Sequence, residues 1–276
     1  MLTFADYKPK TPITRKELLK RIKNNEIISD VIIGSYKLSN TRMCGVHFKN
    51  VVFKNTDLSY TNFDESIFEL CRFEKTRLVD TQFKKAYFES ATFADIKINP
   101  KSGLLVDCPD FSGAKFLKCI FTNIVLHGAR FDHCQLRESS MYKVTLFWPK
   151  GMYFNLYGCT ISDSEIKDAK NRLFGITMSG CRVTNLHTIH TDFGKVNAQK
   201  CEFIKCKLSF GEIHGVFSDT YIIECKATMK HNCMQYIYCT IRNCAIRGKT
   251  SKNTQFVACH LKDNKMTKAL ATKIVS

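Results

Sequence analysis

Proline and glycine are scarce, five and thirteen of 276 residues, too few to punctuate many hairpins. There is no run of about 18 or more apolar residues, as a membrane-crossing helix requires. Met1 to Asn25 alternates charged and apolar residues without the hydrophobic stretch of a secretory signal. These absences predict a cytoplasmic protein, or one delivered to a host cytosol without a cleaved signal. CxxC, GxSxG, HExxH and a Gly-rich phosphate loop are all missing. The sequence therefore announces no catalytic residues, no metal site and no cofactor, and it is expected not to be an enzyme. Acidic residues are also few, 25 against 42 basic for a net charge of +17, so a partner surface should be acidic or neutral. What the chain does have is 44% apolar residues, enough to bury a core and to exclude disorder as its main state.

Those apolar residues recur every five. From Ile33 the series runs Leu38, Met43, Phe48, Phe53, Leu58, Phe63, Phe68, Phe73, Leu78, Phe83, Phe88, Phe93 and Ile98. Two residues ahead of each stands a second series, mostly small or β-branched: Val31, Tyr36, Thr41, Val46, Val51, Thr56, Thr61, Ser66, Cys71, Thr76, Thr81, Ala86, Ala91 and Ile96. Five residues advance a helix by a net rotation of about 140°, which scatters the phenylalanines. On a flat strand they would fall on alternate faces. The pattern needs a chain that turns a corner every five residues, with both series inward and polar residues such as Asn55, Asp57, Ser59, Asn62, Asp64 and Glu65 outward.

The rhythm breaks over Asn99 to Gly113. It resumes as Phe116, Phe121, Leu126, Phe131, Leu136, Met141, Leu146, Leu156, Ile161, Ile166 and Ile176, with gaps at Gly151 and Asn171. A third block holds Val183, Phe193, Phe203, Leu208, Ile213 and Ile223, with Thr188, Ala198 and Ser218 on the lattice. A fourth holds Tyr236, Ile241, Ile246, Phe256, Leu261 and Met266, interrupted at Ser251. Of 43 lattice positions, 37 carry a large apolar residue, far above what a 44% apolar chain gives by chance.

Thr56-Asp57-Leu58-Ser59-Tyr60 and Thr61-Asn62-Phe63-Asp64-Glu65 resemble the pentapeptide repeat motif: a small residue, Asp or Asn, then Leu or Phe, then two free positions. The resemblance covers residues 31–266. It implies an all-β fold, a right-handed quadrilateral parallel β-helix of four pentapeptides per coil and about 11 coils. Residues twenty apart would then stack, Phe53 on Phe73 on Phe93. Residues 1–30 are expected to cap one end with a short helix, since Thr14 and Glu17 have capping-box spacing and Leu18, Leu19 and Ile22 share one side. Residues 267–276 are expected to form a cap or tail at the other.

Ten of the fourteen cysteines (Cys71, Cys119, Cys134, Cys159, Cys181, Cys201, Cys206, Cys239, Cys244 and Cys259) fall on the small inward position, where they serve as buried hydrophobes. Cys181 should stack on Cys201, and Cys239 on Cys259, as reduced thiols if the compartment is cytosolic. His187 and His190 near Cys181 match no zinc spacing.

Three features are candidates for binding. Residues 226–276 contain ten basic residues and only Asp263, and Arg242, Arg247, Lys252 and Lys262 should point outward as a patch for an anionic partner. Residues 147–153 replace a repeat and carry Phe147, the only tryptophan Trp148, and Tyr153, candidate contact anchors on a loop. Residues 99–113 contain Leu104 and Leu105 in a second candidate loop. The first reading is a non-enzymatic, effector- or adaptor-like module that binds a protein partner; the second is nucleic-acid binding through the basic C-terminal coils. Some members of the resembled family protect DNA gyrase by imitating duplex DNA. The positive surplus opposes that reading, and only the carboxylates Asp57, Asp64, Glu65, Glu69, Glu74, Asp80, Glu89 and Asp95 keep it open. Relatives can also pair end to end, which makes a dimer one possible state.

Overall fold

The computed structural model describes residues 11–96, 109–168, 173–250 and 254–275. The chain divides into two compact units, residues 1–139 and 140–276. Each is a right-handed quadrilateral β-helix whose strands, many only three residues long, all pair in parallel.

In the first unit the corners fall on every fifth residue. Asn50, Asn55, Tyr60, Glu65, Leu70, Lys75, Asp80, Lys85, Ser90 and Asp95 all have φ between 48° and 61°. None is glycine, although the left-handed region costs an L-residue about 1–2 kcal/mol. The coil compensates with hydrogen bonds to the next turn: the Asn50 N–H donates to the Glu69 carbonyl at 2.8 Å and the Asn55 N–H to the Glu74 carbonyl at 2.9 Å. Sharp turning therefore needs no glycine punctuation.

Two residues before each corner the large side chain points inward. Phe48, Phe53, Phe63, Phe68, Phe73, Phe83 and Phe88 are fully buried. The register sets Phe53 opposite Phe73 opposite Phe93, with near-parallel rings 4.7 and 4.6 Å apart. Phe48, Phe68 and Phe88 form a second ladder, with spacings of 5.1 and 4.7 Å. Offset and edge contacts of this kind add about 0.5–1.5 kcal/mol each beyond burial. The small inward position is also explained. Thr61 Oγ1 donates to the Leu38 carbonyl at 2.8 Å, Ser66 Oγ to Met43 at 2.7 Å and Cys71 Sγ to Phe48 at 3.4 Å. These three groups are buried yet satisfied by the turn below, whereas Thr76 Oγ1, at the same kind of position, is buried without a hydrogen-bond partner among the described residues. Ser59, placed outside by the pattern, is buried instead, its N–H held by the Asp57 carboxylate at 3.0 Å in a tight turn.

The helix Arg15–Lys23 begins at Thr14, whose Oγ1 accepts from the Glu17 N–H at 3.2 Å. The Glu17 carboxylate turns to Arg21 at 2.9 Å, and this hydrogen bond lowers its pKa. Leu18 is fully buried, while Leu19 and Ile22 are half-buried. Thr11–Pro12 pairs with Val31 and Ile32.

The break expected over 99–113 ends earlier than its spacing suggested. Asp110 bridges Gln82 and Arg130, and Phe111 stacks between Phe83 and Phe131 at 5.2 and 5.6 Å. Phe88 then faces Phe116, so the turn between them spans 28 residues. Ile98 and the leucines 104 and 105 lie outside the described residues.

The second unit keeps the twenty-residue turn in places, as where Val183 faces Phe203 and Ile241 faces Leu261, and departs from it in others. Leu156 faces Met178 and Ile161 faces Val183, turns of 22. Lys207 faces Lys226, which faces Ala245, turns of 19. The one-residue deletion shifts the register, so Phe217 and Ile222 point inward where the lattice had Ser218 and Ile223, which are only half-buried. It also brings Cys225, off the expected lattice, into the core between Cys206 and Cys244: the Cys206 N–H reaches Cys225 Sγ and the Cys225 N–H reaches Cys244 Sγ, each at 3.4 Å. Near residues 267–276 the helix Lys268–Ala271 buries Leu270, and Ile274–Val275 pairs with Phe256 and Val257.

Candidate binding surfaces

Residues 147–153 do not leave the coil. Trp148 and Tyr153 occupy successive corners, at φ 48° and 56°. Pro149 takes the small inward place, and Gly151 takes the large one, opposite Leu173. The expected loop is thus a regular side of the helix, with Met152 outward between two aromatic corners and directly opposite Phe174. Phe147 lies before the Trp148 corner, 6.2 Å from the indole and beneath Lys167 Nζ at 5.2 Å. Trp148 is half-buried and its N–H donates to the Lys167 carbonyl at 3.0 Å.

Met152, Tyr153 and Phe174 expose 48%, 49% and 44% of their surfaces. The Tyr153 and Phe174 rings meet edge to face at 6.5 Å. Both rings lie close over glycine backbone. A Cβ on Gly175, which has φ +72°, would stand 3.0 Å from the Tyr153 ring, and one on Gly194 would stand 2.2 Å from the Phe174 ring. The apolar surface is therefore seated by backbone rather than left loose.

The five-residue step has a direct counterpart in known sequences. The sequence pattern of the pentapeptide repeats family matches residues 37–69 and 110–141, in eight copies. Residues 37–69 and 110–141 are pentapeptide repeats. Among solved structures it is similar to HetL, a pentapeptide repeat protein involved in heterocyst differentiation regulation from the cyanobacterium Nostoc sp. strain PCC 7120, with 13% identity over 92% of this chain and 94% of HetL and a TM-score of 0.38. It is also similar to a trypsin-treated form of QnrB1, a plasmid-mediated fluoroquinolone resistance protein, with 14% identity over 85% of this chain and 90% of that one, TM-score 0.28. The A-module of the Azotobacter vinelandii mannuronan C-5 epimerase AlgE4 gives 10% identity over 95% and 94%, TM-score 0.44. None of these likenesses bears on activity. No curated protein matches the sequence significantly.

The basic candidates fall on neighbouring walls. Arg242 stands opposite Lys262 in register, both exposed, and Arg247 is exposed one wall on. Lys252 lies outside the described residues. The carboxylates of the first unit do not form an unbroken negative stripe. Glu69 lies 3.3 Å from His47 and 3.8 Å from Lys49, Glu65 lies 3.6 Å from Lys85, and Arg72 pairs with Glu74.

Burial pushes the Cys71 and Cys119 thiols up to about 12, and hydrogen bonds from stacked neighbours, with burial, hold Cys201, Cys239 and Cys244 high. His190 Nδ1 lies 3.3 Å from Asp168 and His187 Nδ1 lies 4.0 Å from Glu165. Among the described residues no three His, Cys, Asp or Glu side chains are grouped to hold a metal ion, and no helix is long and apolar enough to cross a membrane.

Sequence reasoning missed Met152 and Phe174. Their pairing depends on a 22-residue turn that no five-residue count reveals. The one available signal was Phe174-Gly175, an aromatic beside a glycine where the lattice falters.

Proposed function

We propose that the chain is a non-enzymatic interaction module that binds a protein partner through the surface formed by Trp148, Met152, Tyr153 and Phe174. The supporting observation is the placement of three large apolar side chains of adjacent turns, nearly half exposed, over Gly175 and Gly194. Aromatic and methionine side chains are enriched in protein interfaces and supply many of their anchors. Held on a β-wall, they lose little further freedom on binding, which raises affinity for a given area.

The test is a photo-reactive amino acid at Lys150, on the same wall, activated in the source cells after nuclease treatment. A discrete protein adduct should form, and Phe174→Ala or Trp148→Ala should reduce it at least ~10-fold, the size of an interface anchor. Capture that is indifferent to both substitutions contradicts this reading.

A further inference from the structure

A second face of the 140–276 unit combines cations with flat rings. On the wall built from Tyr221–Ile223, Thr240–Arg242 and His260–Lys262, one outward column runs Tyr221, Thr240, His260 and the next runs Ile223, Arg242, Lys262. Across the following corner Lys207 faces Lys226, then Ala245, then Lys265, with Arg247 opposite Thr228 on the same wall. Strands stack at about 4.8 Å, so Lys207 and Lys265 lie about 14 Å apart along the column. All six cations are exposed, and among the described residues none forms an ion pair. Of the carboxylates of this face, Asp219, Glu224 and Asp263 stand at corners, with Glu224 met by Lys205 at 3.8 Å, and Glu202, opposite Tyr221 in its column, is met by Arg182 at 3.1 Å.

The rings are Tyr221, 51% exposed, and Tyr238, 66% exposed. Tyr238 is the corner residue that leads into Thr240–Arg242, and Thr240 faces Tyr221. Both phenols thus lie within a turn of Arg242. Cations in a row meet phosphates, and exposed rings offer stacking platforms to unpaired bases. A duplex hides its base faces and would leave the tyrosines without a role. An acidic protein would use the cations but supplies no planar partners for the rings.

We propose that this face binds single-stranded nucleic acid, with bases on Tyr221 and Tyr238 and phosphates on Arg242, Lys262, Lys226 and Lys265. It is independent of the protein-binding surface around Trp148.

The test is fluorescence anisotropy of the full chain with a labelled oligothymidine of about 20 nucleotides, a length that exceeds typical single-strand site sizes. Binding should weaken linearly with log salt. The triple variant Lys226→Glu, Arg242→Glu, Lys265→Glu should reduce that slope by about 2, at roughly 0.7 per phosphate contact. Tyr221→Ala and Tyr238→Ala should each weaken binding ~10-fold with the slope unchanged, while Tyr238→Phe should bind as the parent does. The proposal is overturned if the charge reversals leave the slope intact, if the tyrosine variants bind normally, or if the duplex binds as tightly as the single strand. Equal displacement by polyglutamate or by phosphatidylserine vesicles at matched charge also overturns it, and would assign the face to an acidic protein or a membrane.

Discussion

The first unit is built on twenty-residue turns, with one of 28, and a core of stacked phenylalanines. The second mixes turns of 22, 20 and 19 residues around isoleucine, valine, cysteine and a few rings. Phe68 illustrates the first: it touches six other rings, Phe48, Phe53, Phe63, Phe73, Phe83 and Phe88. Phe203 illustrates the second: among the described residues it stacks on Phe217 alone, at 5.4 Å. Equal turns let identical side chains superpose and leave little outside but solvated polar residues. Unequal turns break the superposition. They leave an apolar cavity of about 30 Å³ among Phe203, Ile213, Phe217, Ala227 and Ile246, and they bring Met152 and Phe174 together on the outside. Regularity makes the core, and irregularity makes the surfaces proposed for partner binding.

Core truncation should show the largest effect. Phe68→Ala should cost about 3–5 kcal/mol, and Phe203→Ala about 1 kcal/mol less because fewer ring contacts are lost; denaturant titration of the two variants measures the difference. Equal costs would remove the distinction between the cores.

Alkaline pH should act next. Cys71 ionises at about 12 in the folded chain, against an ordinary thiol value of 9.0. The unfolded chain therefore loses its proton first, and stability held below pH 9 declines as pH rises toward 12. Between pH 7 and 10 this one thiol should account for about 1 kcal/mol, and Cys71→Ala should shrink the pH dependence by that amount in matched urea titrations.

Filling the cavity should have a smaller, opposite effect. Ala227 stands where Leu208 and Ile246 stand in the turns before and after. Ala227→Val should gain up to about 0.7 kcal/mol, from 24 cal/mol per Å³, read as a shift in urea midpoint. The smallest change is expected at a corner: Lys75, exposed at φ 51°, should gain about 0.5 kcal/mol on Lys75→Gly, as relief of the left-handed conformation slightly exceeds the entropy glycine adds to the unfolded chain.

The ladder from Phe48 to Phe93 was legible because every turn there has the same length, so counting by five is counting by position in space. Phe111 was missed although Asp110-Phe111 carries the motif, since the count restarted at Phe116. Ser218 and Ile223 were placed inward because deleting one residue from a turn leaves no mark on composition or hydropathy; only the pairing of Lys207 with Lys226 exposes it. Cys225 was missed for the same reason. The outward charge of Arg242 and Lys262 was readable from their position after an inward residue. The meeting of Met152 with Phe174 was not, because it is a property of two turns rather than of either segment.

Nuclear Overhauser contacts in protein carrying labelled phenylalanine, leucine, isoleucine and methionine side chains measure turn length directly. Phe53 should contact Phe73, and Phe73 should contact Phe93, at a separation of twenty, while Leu156 should contact Met178 at twenty-two. Contacts of Leu156 with residue 176 in place of 178, or no contacts between phenylalanines twenty apart, would contradict the account.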